Sequence, residues 1–280
     1  AFLHAAAVVK AGIYLLIRFS TVFYDVAVWN WVLIVVGMGT AVMSAVFAVQ
    51  KTDLKKLTAY STVSHLGWIV ATIGVGTPFA IGAALVHTLA HALFKSSLFM
   101  LIGVIDHEAG SRDIRRLGPL WNKMPWTFGS VVIGAASMAA VPPLLGFVSK
   151  EGMLTAFEDA PIGGAGQAIL LAVAGIGAFF TFTYSAKIVF GAFFDGPRSM
   201  DDVHEAPVAL WLPAAMWIHW DLRGRAGSMP GSPGLSKQKE PSQAWDPAPP
   251  SPTVRVAWDP APTHTPGHTH MEAIFPCELI

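Results

Sequence analysis

The chain has 280 residues, of which 53% are hydrophobic and 13% charged, with 18 Lys and Arg against 18 Asp and Glu. Charged residues make up about a quarter of an ordinary soluble domain. This composition excludes a disordered protein, a nucleic-acid binder with a broad basic face and most soluble enzymes. A single cysteine, Cys277, excludes a disulfide framework and a cysteine-based zinc site. The first residue is Ala rather than Met and no signal-peptide n-region precedes the apolar run, so the N-terminus reads as a cut edge and the chain as a fragment.

In chain order, residues 1–215 form an almost continuously apolar transmembrane domain, and residues 216–280 a Pro-rich disordered tail. A bilayer-spanning helix needs about 20 residues. Runs of that kind are predicted over Phe2–Arg18, Val28–Val49, Leu57–Val75, Phe79–Ile105, Pro125–Phe157 and Gln167–Phe194, with a seventh beginning at Pro207. No run alternates as a β-barrel strand would, which leaves closed helices as the backbone solution in lipid. The expected fold class is all-α: a polytopic transmembrane helix bundle with one Pro-broken helix, at Pro142-Pro143 in the fifth run. The tail holds 11 of the 20 prolines, a repeated Ala-Trp-Asp-Pro-Ala-Pro, and His264, His268 and His270. No packed scaffold would orient those histidines, so no metal site is assigned. The change of composition near Met216 is also what a lost reading frame would give.

Six spans place the loops alternately on two sides. One side carries Lys51, Lys55, Lys56, Arg112, Arg115, Arg116, Lys123 and Arg198; the other carries Arg18 among acidic residues. The positive-inside rule puts the first side in the cytoplasm. Trp29, Trp31, Trp68, Trp121 and Trp126 fall near span ends and read as aromatic-belt anchors.

Ionisable residues inside membrane spans are costly and are functional candidates by default. In the fourth span His87, His91 and Lys95 stand at i, i+4 and i+8, one face of a helix over about 12 Å. Histidine donates and accepts protons near neutral pH, and a desolvated lysine can become a proton carrier. In the fifth span Lys150 follows the tandem prolines by about two turns. Broken helices are the usual ion-binding elements of transporters, and Gly146 lies between the break and Lys150. His4 and Lys10 are further candidates in the first span. Lys55 and Lys56 open the third, either as positive-inside anchors or as a cytoplasmic proton-uptake point, and Lys187 is expected to snorkel. No phosphate loop, Cys cluster or haem-type His pair occurs, so no cofactor is expected, and charge relay without redox chemistry favours ion movement.

These residues carry a family resemblance. His4-Ala5-Ala6-Ala7-Val8-Val9-Lys10-Ala11-Gly12 resembles the HAAxMVKAG signature of the antiporter-like subunits. That superfamily joins the proton-pumping membrane subunits of respiratory complex I to the Mrp-type multisubunit cation/proton antiporters. Thr52 through Ser64 is similar to its TDLKxxLAYSTxS segment, His87 through Lys95 to its HxxxHAxFK helix, and Gly146 through Glu151 to its GFxSKE broken helix. Asp106-His107-Glu108-Ala109-Gly110-Ser111-Arg112-Asp113 and the stretch Ser137 through Phe147 resemble the large A-type member of the Mrp antiporters in particular.

The resemblance implies a proton relay through His4, Lys10, Lys55, His87, His91, Lys95 and Lys150, running horizontally at mid-membrane and ending at Lys150 toward the outside. It implies Na⁺ (or K⁺) and H⁺ as transported ions, other subunits of a hetero-oligomeric antiporter and the lipid bilayer as partners, and the bacterial inner membrane as location. The alternative is a proton-translocating subunit of an NADH:quinone oxidoreductase or membrane hydrogenase. Two departures are visible: His65 stands where the signature often has Gln, and Thr58 where Leu is usual.

Overall fold

A computed structural model describes residues 8–195, 203–208, 211–214 and 216. Over residues 8–195 seven helices follow one another: α1 (Val8–Phe23), α2 (Ala27–Gln50), α3 (Leu54–Gly74), α4 (Pro78–Ala109), α5 (Pro125–Met138), α6 (Leu145–Glu158) and α7 (Gly164–Phe193), with one 3-10 turn at Ile114–Arg116; residues 208, 211–214 and 216 are helical as well. Among the described residues the fold is all helical save one isolated β-bridge, Asp53 with Asp113. Each of the six expected runs has a helix, and the Pro-broken one has two. His4 and the tail beyond Met216 lie outside the described residues.

Helix boundaries follow local chemistry. Asp53 caps α3 by accepting from the backbone N–H of Lys55 at 2.9 Å and of Lys56 at 3.0 Å. Thr77 caps α4 ahead of Pro78, whose fixed φ suits the first helical position. Gly110 ends α4 in the left-handed region that glycine adopts without strain. α1 runs past Arg18 to Phe23 because Arg18 is exposed and interrupts no backbone bond.

Among the described residues three helices, α2, α4 and α7, are long and apolar enough by themselves to cross a membrane. α3 has 21 residues but carries polar residues on several sides, and α5 and α6 have 14 each. Between these halves Pro142 and Pro143 offer no N–H, and Val141 N–H reaches back five residues to the Ala136 carbonyl at 2.9 Å. Val141, Pro142 and Pro143 are exposed, whereas Gly146 packs so closely on the Ser137 carbonyl that a Cβ there would collide with it.

α2 and α3 meet through small residues. A Cβ on Gly37 would come within 2.8 Å of the Gly67 carbonyl, and one on Gly67 within 2.6 Å of the Gly37 carbonyl. The two backbones therefore touch, as small-residue seams permit in lipid. Ser64 Oγ donates to the Ala41 carbonyl across the seam at 2.8 Å. This contact fixes how α3 is rotated, and that rotation decides which of its side chains meet α4 and α6. On the far side of the bundle α7 exposes Ile169, Ile176, Phe179, Phe182 and Phe190, an apolar face suited to lipid.

The basic end is clamped. Leu54 N–H donates to the Arg112 carbonyl at 2.9 Å and Ile114 N–H to the Thr52 carbonyl at 3.0 Å. Arg112 Nε donates to Asp53 Oδ2 at 2.8 Å. Burial alone would raise the Asp53 carboxyl, but the Lys56 N–H and the Arg112 guanidinium outweigh it and hold the group below its ordinary range. Lys187, expected to snorkel, donates to the Val49 carbonyl in the last turn of α2 at 2.6 Å, where a helix end favours positive charge. Glu205 accepts from the Trp126 N–H at 2.8 Å and the Thr127 hydroxyl at 2.6 Å, serving the start of α5, which has no local side-chain cap.

Candidate functional site

The basic side chains of the middle of the bundle collect on one face of α3. His91 and Lys95 are fully buried, His65 and His87 are 1% exposed and Lys150 is 5% exposed. Thr58, Ser61, His65 and Trp68 follow one another at spacings of three, four and three, which is a single helical stripe. Each member of the stripe meets a basic group or holds one that does.

Lys95 Nζ donates to Ser61 Oγ and, at 3.4 Å, to the Thr58 carbonyl. Ser61 gives its own proton to Thr58 O at 2.9 Å, which leaves its lone pairs for the ammonium. The next turn brings His65 between the two histidines of α4. His65 Nδ1 lies 3.1 Å from His87 Nε2, with the rings stacked at 5.3 Å, and the His91 ring is 5.5 Å away. His87 Nδ1 lies 2.9 Å from Ser149 Oγ on α6, and Ser149 donates to the Gly146 carbonyl at 3.0 Å.

The network assigns the tautomers. Ser149 has spent its proton on Gly146, so it accepts from His87 Nδ1–H. His87 Nε2 is then the acceptor and His65 Nδ1–H the donor, which leaves His65 Nε2 as a bare acceptor. That atom is buried and has no hydrogen-bond partner among the described residues, and the same holds for both ring nitrogens of His91. The string ends at His65 on a buried acceptor, with the His91 ring nearby. Phe94 packs against all three imidazoles, at 5.4 Å from His65, 6.4 Å from His87 and 5.5 Å from His91.

At the other end Lys150 Nζ stands 5.0 Å from the centre of the Trp68 ring. Among the described residues no carboxylate enters the array: Glu151, beside Lys150, is exposed, and the ion pairs lie at the basic end or between His107 and Glu108. The described residues also contain no cluster able to hold a metal ion.

Residues 1–181 match the family described as NADH:quinone oxidoreductase/Mrp antiporter, TM. The chain belongs to that family. It is 44% identical over 218 residues to a probable K(+)/H(+) antiporter A/B subunit of Rhizobium meliloti, covering 77% of this chain and 22% of the relative. It is 42% identical over 238 residues to the Na(+)/H(+) antiporter A subunit of Bacillus subtilis, covering 78% and 30%. Among solved structures, the Mrp complex from Dietzia sp. DQ12-45-1b matches with a TM-score of 0.73 and 53% identity, over 79% of this chain and 24% of that one. A membrane-bound sulfane sulfur reductase, an archaeal respiratory membrane complex, matches with a TM-score of 0.64 and 30% identity, over 69% and 31%. The chain thus spans under a third of the length of these relatives.

Of the family-signature residues, the structure brings His87, His91, Lys95 and Lys150 into the array. Lys10, half-buried on α1, lies within electrostatic reach of His87 and His91. Lys55 stands apart, exposed in the first turn of α3. Because α4 is unbroken, His87 and Lys95 are separated along its axis by about 12 Å, so the array extends along the helices and crosses between them only at the steps from α4 to α3 and α6. His65 and Ser149, absent from the expected set, make its central hydrogen bonds. Trp68 is corrected: it is no belt anchor but a core residue, 1% exposed, because the α2–α3 seam turns it inward.

Proposed function

We propose that this chain carries part of the proton path of a multisubunit Na⁺(K⁺)/H⁺ antiporter in the bacterial plasma membrane, as one subunit of a secondary transporter. The observation that carries this reading is the buried string Gly146–Ser149–His87–His65, flanked by Lys95 and Lys150, with hydroxyls, rings and other bases as its partners and no carboxylate among the described residues. Groups held this way change protonation without breaking an ion pair. The names of the relatives, subunits of Na(+)/H(+) and K(+)/H(+) antiporters, support the ion assignment.

The array works by repulsion. Two imidazolium ions 5.3 Å apart repel by about 3 kcal/mol at an effective dielectric of ~20. His65 and His87 therefore carry at most one charge between them, and a proton arriving on one displaces a proton from the other. A proton leaving Lys95 passes by His91 to His65 Nε2. The His65–His87–Ser149 string delivers it toward α6, where Lys150 stands past the Pro break. Lys10 biases the α4 histidines from the opposite side. Other subunits supply the cation path and the lipid-facing cover.

A second reading, a proton-translocating subunit of a redox-driven membrane complex, is supported by the likeness to the sulfane sulfur reductase complex; purification with iron–sulfur subunits would favour it. The direct test is Lys150→Ala in the complete assembly in everted vesicles. Cation-dependent proton flux is expected to vanish while assembly persists; unchanged flux would sink the proposal.

A further inference from the structure

We infer that Trp68 is a positioning residue for Lys150: its indole face holds the ammonium and sets the pH at which that lysine gives up its proton. The inference rests on the transport reading above and assigns a role to a residue outside the family-signature set.

Three observations carry it. Lys150 Nζ lies 5.0 Å from the ring centre, inside the range of about 6 Å in which a cation is drawn to an aromatic face. The ring is held in place: Phe157 stacks on it at 6.0 Å, a Cβ on Gly177 of α7 would come within 3.0 Å of its Cζ2, and Thr72 Oγ1 donates to the Trp68 carbonyl at 2.9 Å. The indole Nε1 is buried with no hydrogen-bond partner among the described residues, so packing and the cation decide where the ring sits.

The surroundings leave the indole a distinct role. From α3 and α4 the titratable groups within reach of Lys150 are His65 and His87, both bases that disfavour a second positive charge. α5 carries no titratable residue. On α7, Tyr184 and Lys187 lie about 10 and 15 Å beyond Gly177 along the axis. On α6, Glu151 is exposed. The π face favours the ammonium over the neutral amine, opposing burial and the histidines. Weakening it makes Lys150 release its proton at lower pH.

The test replaces Trp68 site-specifically with mono-, di- and tetrafluorotryptophan in the complete assembly, which drains the π face while keeping the ring's shape. Flux is followed against pH in everted vesicles, beside Trp68→Leu. The alkaline limb of the profile is expected to move to lower pH stepwise with fluorination, by up to about one pH unit. A limb that stays in place across the series, or moves to higher pH, overturns the inference, even if the amplitude falls. An unsubstituted assembly with no cation-dependent flux overturns the transport reading instead.

Discussion

The basic end of the bundle and its buried middle use the same kind of side chain in opposite ways. At the end, Arg112 meets Asp53 at 2.8 Å and Asp106 at 3.4 Å, and Arg115 meets Asp113 at 3.3 Å. In the middle, Lys95 meets a serine and a carbonyl, Lys150 an indole, and the histidines one another. A base paired with a carboxylate keeps its proton and ties two loops together. A base held by neutral groups in a dry interior has no counter-charge that locks its proton in place. One region is tied by ion pairs; the other, on the proposed reading, is the one that switches.

Several substitutions break or sharpen this contrast. Lys95→Met has the largest expected effect: cation-dependent proton flux should disappear in everted vesicles, while blue-native gels still show the assembly. His65→Leu comes next. Leucine removes both the hydrogen bond to His87 and the ring that would hold a proton, so flux should fall on the order of 10²-fold. Gly67→Val strikes the seam that rotates α3. Overpacking typically costs about 1–3 kcal/mol, and touching backbones give the higher end, read as a lower unfolding temperature in detergent together with lost flux. Asp53→Asn is the mildest: the cap remains, the ion pair with Arg112 goes, and stability should fall by about 1 kcal/mol or less.

The clamp also has a pH signature. Asp53 is held below its ordinary range when folded, so its contribution is present above about pH 4 and is lost as pH falls through the folded value. The difference in melting temperature between the parent chain and Asp53→Asn should hold constant from about pH 5 to 8 and shrink below about pH 4.

Much of this bundle is legible in the chain. His87, His91 and Lys95 announce themselves by helical spacing in an apolar run, and tandem prolines announce the break. His65 and Trp68 are harder to place. α3 carries Thr58, Ser61, Thr62, Ser64, His65 and Trp68 on several sides, so polarity alone does not say which face is used. The phase comes from Gly37 and Gly67, whose backbones meet and turn His65 toward α4. A tryptophan near a span end anchors a membrane interface only if its helix turns it to lipid, and here the seam turns it to the core. Ser149 is an ordinary small polar residue in sequence; its hydroxyl gains meaning from packing beside His87. Lys55 shares its helix with the array but projects to the exposed side.

Transport by this array requires protons to reside on its imidazoles. Difference infrared spectroscopy on the ¹⁵N-histidine-labelled assembly, through a pH jump with and without Na⁺, measures that directly. An imidazole-to-imidazolium conversion that follows flux and shrinks in His65→Leu is the predicted result. Full cation-dependent flux with no histidine band altered by that substitution would contradict it.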